Sequence, residues 1–547
     1  MSRAPAAARV FIERISTPSV EEPRHSHRGT PTRGRFGDIR GRPVTLPRGR
    51  PAKRLDRNVT QDDRQARAPY AEALQRNADE GWVRLGVPGH QDQPKHHPAL
   101  AGLAGPELLA VDIPMFTEGV DLPAPGETSS PLLEALELAA EAWGARRTWF
   151  LTDGASQGNH VTCLALRSLS PHAVVQRSVH TSVIDGAILA GLRLEFVQPS
   201  VDSVLGIAHG VTAAAVDEQL TAHPGAAAAY IVTPSYFGAC ADIDAIVEVA
   251  HRHGVPLVVD EAWGSHFGFH PELPKSALQS GADLVISSTH KLGGSLTQSA
   301  MLHLGEGPFA DQLEPLIVRA MTTFGTTSPS GILYASLDLA RRDLYLNGIP
   351  GIGASIADVE HLREVLNAKG RYADPDPSIH AAPDVIALDP LRFVVDTRSG
   401  GVPGYVARRL LEERNRIHVE MATGTCIVGL VGAGSRLDVD YVAAALHDLP
   451  EQDLGAHPPI HLPANAPRQM DLRDAYLSPT EIVPAAQAVG RTSADSLAAY
   501  PPGVANVLPG ELITQEILDF LQDTARSPYG WVRGSVDPAV ERLRVIA

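Results

Sequence analysis

Six short apolar runs punctuate the middle of the chain: RTWFLT (147–152), AVVQR (173–177), LEFVQ (194–198), AAAYIVT (227–233), VPLVVD (255–260) and ADLVISS (282–288). Each is set apart from the next by a stretch long enough for a helix. Apolar runs of this length without polar alternation suit strands covered on both faces. Strands that alternate with helices predict an α/β fold, a mostly parallel sheet sandwiched by helices. The segment SSPLLEALELAAEAWGA, just before the first run, reads as a helix with candidate caps at Ser129 and Ser130 and a stop at Gly144.

This pattern fills residues 66–345, read as a large domain with a lead-in segment. From 346 to 547 it changes to a smaller α+β region carrying a strand-like LRFVVDT (391–397), a helix GYVARRLLEERN (404–415) and an apolar run IVGLVG (427–432). A proline-rich stretch, HPPIHLPANAPRQ (457–469), leads to a last segment with a rigid loop, AAYPPGVANVLPGE (498–511). Residues 1–65 are rich in Arg, Pro, Ser and Gly, with too few large apolar side chains to offset backbone ordering, and read as a flexible basic arm. A formal charge of -16 argues against a nucleic-acid partner and against an anionic membrane surface. It would help draw in a cationic substrate, and would equally serve solubility alone. Three scattered cysteines without CxxC spacing suggest neither a disulfide framework nor a zinc site, which fits a cytoplasmic setting. No run of about 18 apolar residues suggests a membrane span.

In an open α/β sheet ligands bind beyond the carboxyl ends of the strands, so the residues after each run form one set. After RTWFLT comes Asp153-Gly154-Ala155-Ser156-Gln157-Gly158-Asn159, a small-residue turn into a helix that would expose N–H groups to a phosphate, or serve as an ordinary tight turn. After VPLVVD, Asp260 is placed to hold a proton on a ring nitrogen, and Ala262 leaves room for a flat ring; Asp260 could equally cap a helix. After ADLVISS, Lys291 is a lysine that an apolar strand brings toward the interior, suited to imine formation with an aldehyde or to simple surface exposure. His180, after AVVQR, offers a ring to stack on an aromatic cofactor, a proton donor, or a turn cap. Phosphate turn, stacking ring, pyridine-directed acid and imine-forming amine arrive in that order, all at strand ends.

These residues lie in VPGHQDQ (87–93), FLTDGASQGNHV (150–161), VHTSVIDGAILAG (179–191), TPSYFGACADI (233–243), VVDEAWGSHFGFHPELPKSAL (258–278), SSTHKLGGSLTQSAMLH (287–303) and TTSPSGILYASLDLARR (326–342). Together with GGVPGYVARRLLEE (400–413) and YPPGVANVLPGE (500–511), they make the chain resemble the ornithine/lysine/arginine decarboxylase family of pyridoxal 5'-phosphate enzymes, which share the aspartate aminotransferase fold. The resemblance implies that Lys291 holds the cofactor, Asp260 pairs with its ring nitrogen and His180 stacks on the ring. It also implies that Ala155, Ser156, Ser288 and His290 hold the phosphate, and that Thr327 and Ser328 reach the phosphate of a partner subunit in a homodimer or an assembly of dimers. The implied reaction releases carbon dioxide from arginine, lysine or ornithine, with His180 or Lys291 returning a proton. The rival readings are transamination, oxidation or cyclisation of a cationic amino acid on the same cofactor, and a scaffold without chemistry. The chain departs from the family where Lys-Gly usually follows PGH and here stand Gln91-Asp92. It departs again where NGTS is usual and Asp153-Gly154-Ala155-Ser156 stand, and at Met115, which lacks the usual glutamate. Glu118, Asp121 and Glu420 are the candidate partners for a distal cation.

Overall fold

In the computed structural model, residues 64–454, 461–500, 503–527 and 530–547 are described. The expected basic arm lies outside them except for its last two residues. Of these, Gln65 is fully buried, with its amide donating to the Leu138 carbonyl and its own carbonyl accepting from Arg341.

All six apolar runs form strands, and they lie in one seven-stranded sheet. These are β1 (Arg147–Leu151), β2 (His172–Gln176), β3 (Arg193–Val197), β4 (Ala229–Val232), β5 (Leu257–Asp260) and β6 (Leu284–Ser287), joined by β7 (Ala300–Leu304) in the order β1-β7-β6-β5-β4-β2-β3. Pairing is parallel from β6 through β3, and β7 alone runs against its neighbours β6 and β1. Strand residues divide by parity between two cores. Val175, Tyr230, Val258 and Ile286 face helices α3 (Gly154–Arg167), α4 (Thr181–Ala190) and α8 (Ala310–Phe324). Val174, Ile231, Leu257, Val259 and Val285 face α5 (Ala213–Ala222) and α6 (Ile243–Arg252). Both faces are covered, so nothing in these strands needs to alternate with polar residues.

The predicted helix before β1 is α2 (Pro131–Trp143), with Ser130 accepting from the Leu133 N–H and Gly144 in left-handed backbone at φ 73°. It packs with α1 (Pro69–Asp79) near the long α9 (Gly331–Lys369). The domain boundary expected near 345 falls inside α9, a 39-residue helix whose second half packs Val359 and Leu362 against a smaller sheet. That sheet has the order β8 (Arg392–Val395), β10 (Ile427–Leu430), β9 (Met421–Ala422) and is covered by α10 (Gly404–Asn415) and α11 (Val439–His447). The C-terminal residues build a separate core around β11 (Leu497–Tyr500), β12 (Ala505–Val507), β13 (Trp531–Arg533) and α12 (Gln515–Arg526). A buried fork ties this segment back to the large sheet: Arg177, just past β2, donates to both oxygens of Glu511 at 2.6 and 2.7 Å. Gln91 and Asp92 both take left-handed backbone, at φ 49° and 54°.

Candidate active site

The site forms where β1, β2, β5 and β6 end. Gly154, at φ 65°, turns the chain from β1 into α3, and the N–H groups of Ala155 and Ser156 fall in the first turn, where a helix has no acceptors of its own. Gly158 lets α3 lie close on the sheet: a Cβ there would stand 2.9 Å from the Ile286 Cγ2 and 3.1 Å from the Leu151 Cδ1.

Asp260 is the last residue of β5 and is buried. One carboxylate oxygen accepts from the Ala262 N–H at 3.1 Å, and the other from the Asn159 amide at 3.1 Å. Each oxygen keeps a lone pair for a further donor. Asn159 also donates to Ser182 Oγ at 2.8 Å and accepts from the buried Tyr230 hydroxyl at 2.7 Å. Because Ser182 Oγ accepts from Asn159, its own proton points to His180 Nδ1, 2.8 Å away, and the Ser182 N–H donates to the same nitrogen at 3.3 Å. These bonds assign the neutral His180 its proton on Nε2. Burial holds the His180 ring below its ordinary pKa; Asp260 opposes that shift, and Lys291 and Arg533 reinforce it. His180 thus caps α4, as one sequence reading allowed, while lying within electrostatic reach of Asp260 and Lys291.

Lys291 sits on α7 (Thr289–Leu292), the single turn that follows β6, and is half-buried. Its Nζ lies 3.9 Å from the centre of the Trp263 ring. Burial pulls the amine down to about 8. Asp260 and Glu420 work against that shift and Arg392 adds to it. Ser288 is buried at the start of the turn, and His290 Nδ1 meets the Ser299 carbonyl at 2.8 Å. Burial lowers the His290 pKa, opposed by that carbonyl and aided by Lys291. Ala262 is buried beside Asp260.

Lys291, Asp260 and His180 therefore come together, with Ser288 and His290 on the lysine's turn and Ala155 and Ser156 opening the helix that carries Asn159. Thr327 and Ser328 stand apart. Both are exposed in the loop between α8 and α9, where Ser328 makes only local bonds to Thr326 among the described residues. Of the candidate carboxylates, Asp121 is bound into the fold by the Tyr70 hydroxyl and the Thr117 N–H, and Glu118 is exposed. Glu420, also exposed, is the one whose charge acts on Lys291. Sequence reading missed the side chain of Asn159, which ties Asp260 to Ser182 of α4 and Tyr230 of β4, and missed Arg392 and Trp263. An arginine inside the apolar strand run LRFVVDT was the available signal for Arg392.

The comparisons with known proteins converge on one family. The Orn/Lys/Arg decarboxylase major domain matches residues 68–436, and the C-terminal domain of the same enzymes matches 461–528. The chain is similar to an arginine decarboxylase of Halalkalibacterium halodurans, 34% identical over 491 residues, covering 88% of this chain and 98% of that protein. An arginine decarboxylase of Bacillus subtilis is 33% identical over 489 residues, with the same shares covered. Among solved structures, lysine decarboxylase A from Pseudomonas aeruginosa superimposes with a TM-score of 0.72 at 20% identity, covering 88% of this chain and 81% of its own, and shares the fold. With both halves of the chain matched in order, the protein belongs to the Orn/Lys/Arg decarboxylase family.

Proposed function

We propose that this chain is a pyridoxal 5'-phosphate-dependent decarboxylase of a basic amino acid, with arginine the preferred substrate. The observation that carries the reading is the Lys291 amine, half-buried at a strand end within electrostatic reach of the buried Asp260 and of His180. The arginine decarboxylases at 33–34% identity support the substrate.

The residues present fit the cofactor. An amine lowered to about 8 keeps about a tenth of its population unprotonated at pH 7, ready to attack an aldehyde. Asp260 has a spare lone pair on a fixed, buried carboxylate for a ring N–H. The first turn of α3 with Ser156, together with Ser288, supplies donors for a phosphate; His290 gives its Nδ1–H to the Ser299 carbonyl, so its Nε2 joins them only as an imidazolium. When bound, the cofactor supplies a conjugated electron sink that stabilises the charge left by a departing carboxyl group. Asp260 keeps the ring-nitrogen proton in place, which deepens that sink. Lys291 Nζ is the amine that would hold the cofactor's aldehyde carbon. His180 Nε2, carrying the only proton of a neutral ring, is one donor for the α-carbon, and Lys291 Nζ is the other. Glu420 pairs with the distal guanidinium near the mouth.

A homodimer is the proposed assembly. Trp82, Val83, Leu85, Leu103 and Phe116 are between 62% and 90% exposed, large apolar side chains that a second copy would cover. A second copy over this face would give the exposed Thr327 and Ser328 their role at the partner's phosphate. The cytoplasm is the proposed compartment; no helix among the described residues is long and apolar enough to cross a membrane.

The test is incubation of the purified, cofactor-loaded protein with arginine, lysine and ornithine, measuring carbon dioxide and amine. Release from arginine in preference to the others is expected. Turnover of the amino acid to a keto acid, without carbon dioxide, would sink the proposal.

A further inference from the structure

Two cations meet on one indole. The Lys291 Nζ lies 3.9 Å from the Trp263 ring centre and the Arg392 Cζ 4.3 Å from it, so the two charges are held within about 8 Å of each other. Trp263 follows Ala262 in the turn after β5, while Arg392 opens β8 of the smaller sheet. Arg392 is fully buried. Its Nη1 donates to the carbonyls of Ser235, at 3.4 Å, and Tyr236, and its Nε stands 3.5 Å from Asp389 Oδ2. Asp389, also fully buried, meets His266 Nε2 at 3.1 Å through its other oxygen and takes the Leu391 N–H on that oxygen as well. His266 is wholly enclosed.

This chain of buried charge has no place in the mechanism above, and it is costly to build. A buried guanidinium held by two backbone carbonyls and one distant carboxylate oxygen is a costly way to back an indole that leucine or methionine would back without desolvation. What a guanidinium adds is a flat, rigid plane and a fixed positive charge. Both bear on the amine. Lys291 alternates between being joined to the cofactor and being free, and when free it needs a seat. A carboxylate would hold it protonated and unreactive, and solvent would let it wander. An aromatic face attracts the amine only weakly and leaves it able to lose its proton.

We propose that Trp263, braced by the buried Arg392–Asp389–His266 chain, is the positioning surface on which the Lys291 amine rests whenever it is not joined to the cofactor. This rests on the functional reading above and deepens it. The groups that face Lys291 are Asp260 from the end of β5, Arg392 from β8, Glu420 from the segment before β9, His180 from the start of α4 and His290 on its own turn. Asp260 and Glu420 favour the charged amine, and Arg392 opposes them from beside the indole. The bracing chain thus weights the free amine toward the form that can re-engage.

The test compares wild type, Arg392→Met, Trp263→Leu and Trp263→Phe. Borohydride reduction of the loaded enzyme, followed by mass spectrometry of the peptide holding residue 291, first asks whether the cofactor is on Lys291. Its absence from wild type overturns the functional reading and this inference with it. Given that link, the acylation rate of Lys291 in cofactor-stripped protein is followed against pH. Arg392→Met is expected to raise its midpoint by about one unit. The same variant should lower kcat about tenfold or more with KM within about threefold, because re-engagement slows while binding does not. An unmoved midpoint with unmoved kcat reduces the column to packing and overturns the inference. Should Arg392→Met fail to fold, the tryptophan pair decides. Trp263→Leu is expected to lose about tenfold in kcat while still fixing cofactor on Lys291, and Trp263→Phe to recover to within about threefold of wild type. Equal losses in both variants overturn it.

Discussion

Replacing Lys291 by methionine should make the cofactor-free protein more stable, and by an amount that shrinks as pH rises. The amine titrates near 10.5 in an unfolded chain and is pulled down to about 8 in the folded one, chiefly by burial. Below pH 8 both states are protonated, and the folded state bears the full cost of enclosing a charge. Between 8 and 10.5 the folded state binds fewer protons, so stability rises with pH across that window, and above 10.5 the cost is gone. The displacement from 10.5 to about 8 corresponds to about 3 kcal/mol at pH 7 and about 2 kcal/mol at pH 9. Methionine fills the same volume without the charge. For a chain of this size the gain is a rise in melting temperature of about 3 °C at pH 7 and about 2 °C at pH 9. Thermal unfolding of both stripped proteins in matched buffers at the two pH values measures it. A variant no more stable than wild type at pH 7, or a gap that widens toward pH 9, would refute the claim that the amine is held at a cost.

Other outcomes follow from the packing and the buried charges. Gly158→Ala gains about 1 kcal/mol of helix propensity but drives a methyl against the fully buried Ile286 and Leu151, which costs about 1–3 kcal/mol, so a lower melting temperature and weaker cofactor retention are expected; a stabilised variant would contradict the close approach of α3. Arg341→Leu strips the Gln65 and Arg67 carbonyls of their donor and leaves the buried Asp338 without its partner at 2.6 Å. A loss of about 3–5 kcal/mol is expected, with proteolysis beginning near residues 64–70, and adding Asp338→Asn should recover part of it in a melting experiment. Burial holds the Glu261 carboxyl up to about 8, opposed by the Ala277 N–H, so the folded state binds more protons than the unfolded between pH 4.5 and 8 and loses stability as pH rises through that range. Glu261→Gln can accept the same bond and should hold its melting temperature from pH 5 to 8 where wild type declines, a difference of at most about 4 kcal/mol at pH 8; parallel curves would refute it.

The sheet was legible because it is enclosed. Leu257, Val258 and Val259 alternate between two cores, so their run has no polar interruption to disguise it, and the same holds for Leu284, Val285 and Ile286. The strand that escaped reading was β7. It follows β6 after a single helical turn and a loop, without the helix-length spacer that a parallel crossover requires, because it pairs antiparallel. The boundary near 345 was drawn where the composition changes, but α9 runs through that point, and a helix serving two cores carries no local mark of where one ends.

The placement of the candidate residues was legible for a related reason. Asp260 ends its strand, Lys291 and His180 each follow theirs by four residues, and a parallel sheet delivers such positions to one edge, so order along the chain becomes proximity in space. What lay beyond reach was everything that depends on a side chain crossing between elements. Asn159 sits inside a motif already singled out, yet nothing local says that its amide spans to Asp260 and Ser182 while its carbonyl takes the Tyr230 hydroxyl. Arg392 opens a strand of the smaller sheet, Trp263 lies in the turn after β5 of the larger one, and they meet because the smaller sheet folds against the end of β5. The departure at 91–92 has the same character. Gln91 and Asp92 hold left-handed backbone at a place where glycine is the usual second residue, so the substitution changes the side chain and keeps the turn. Glu420, the one candidate carboxylate whose charge reaches Lys291, is where recognition of the substrate can be measured.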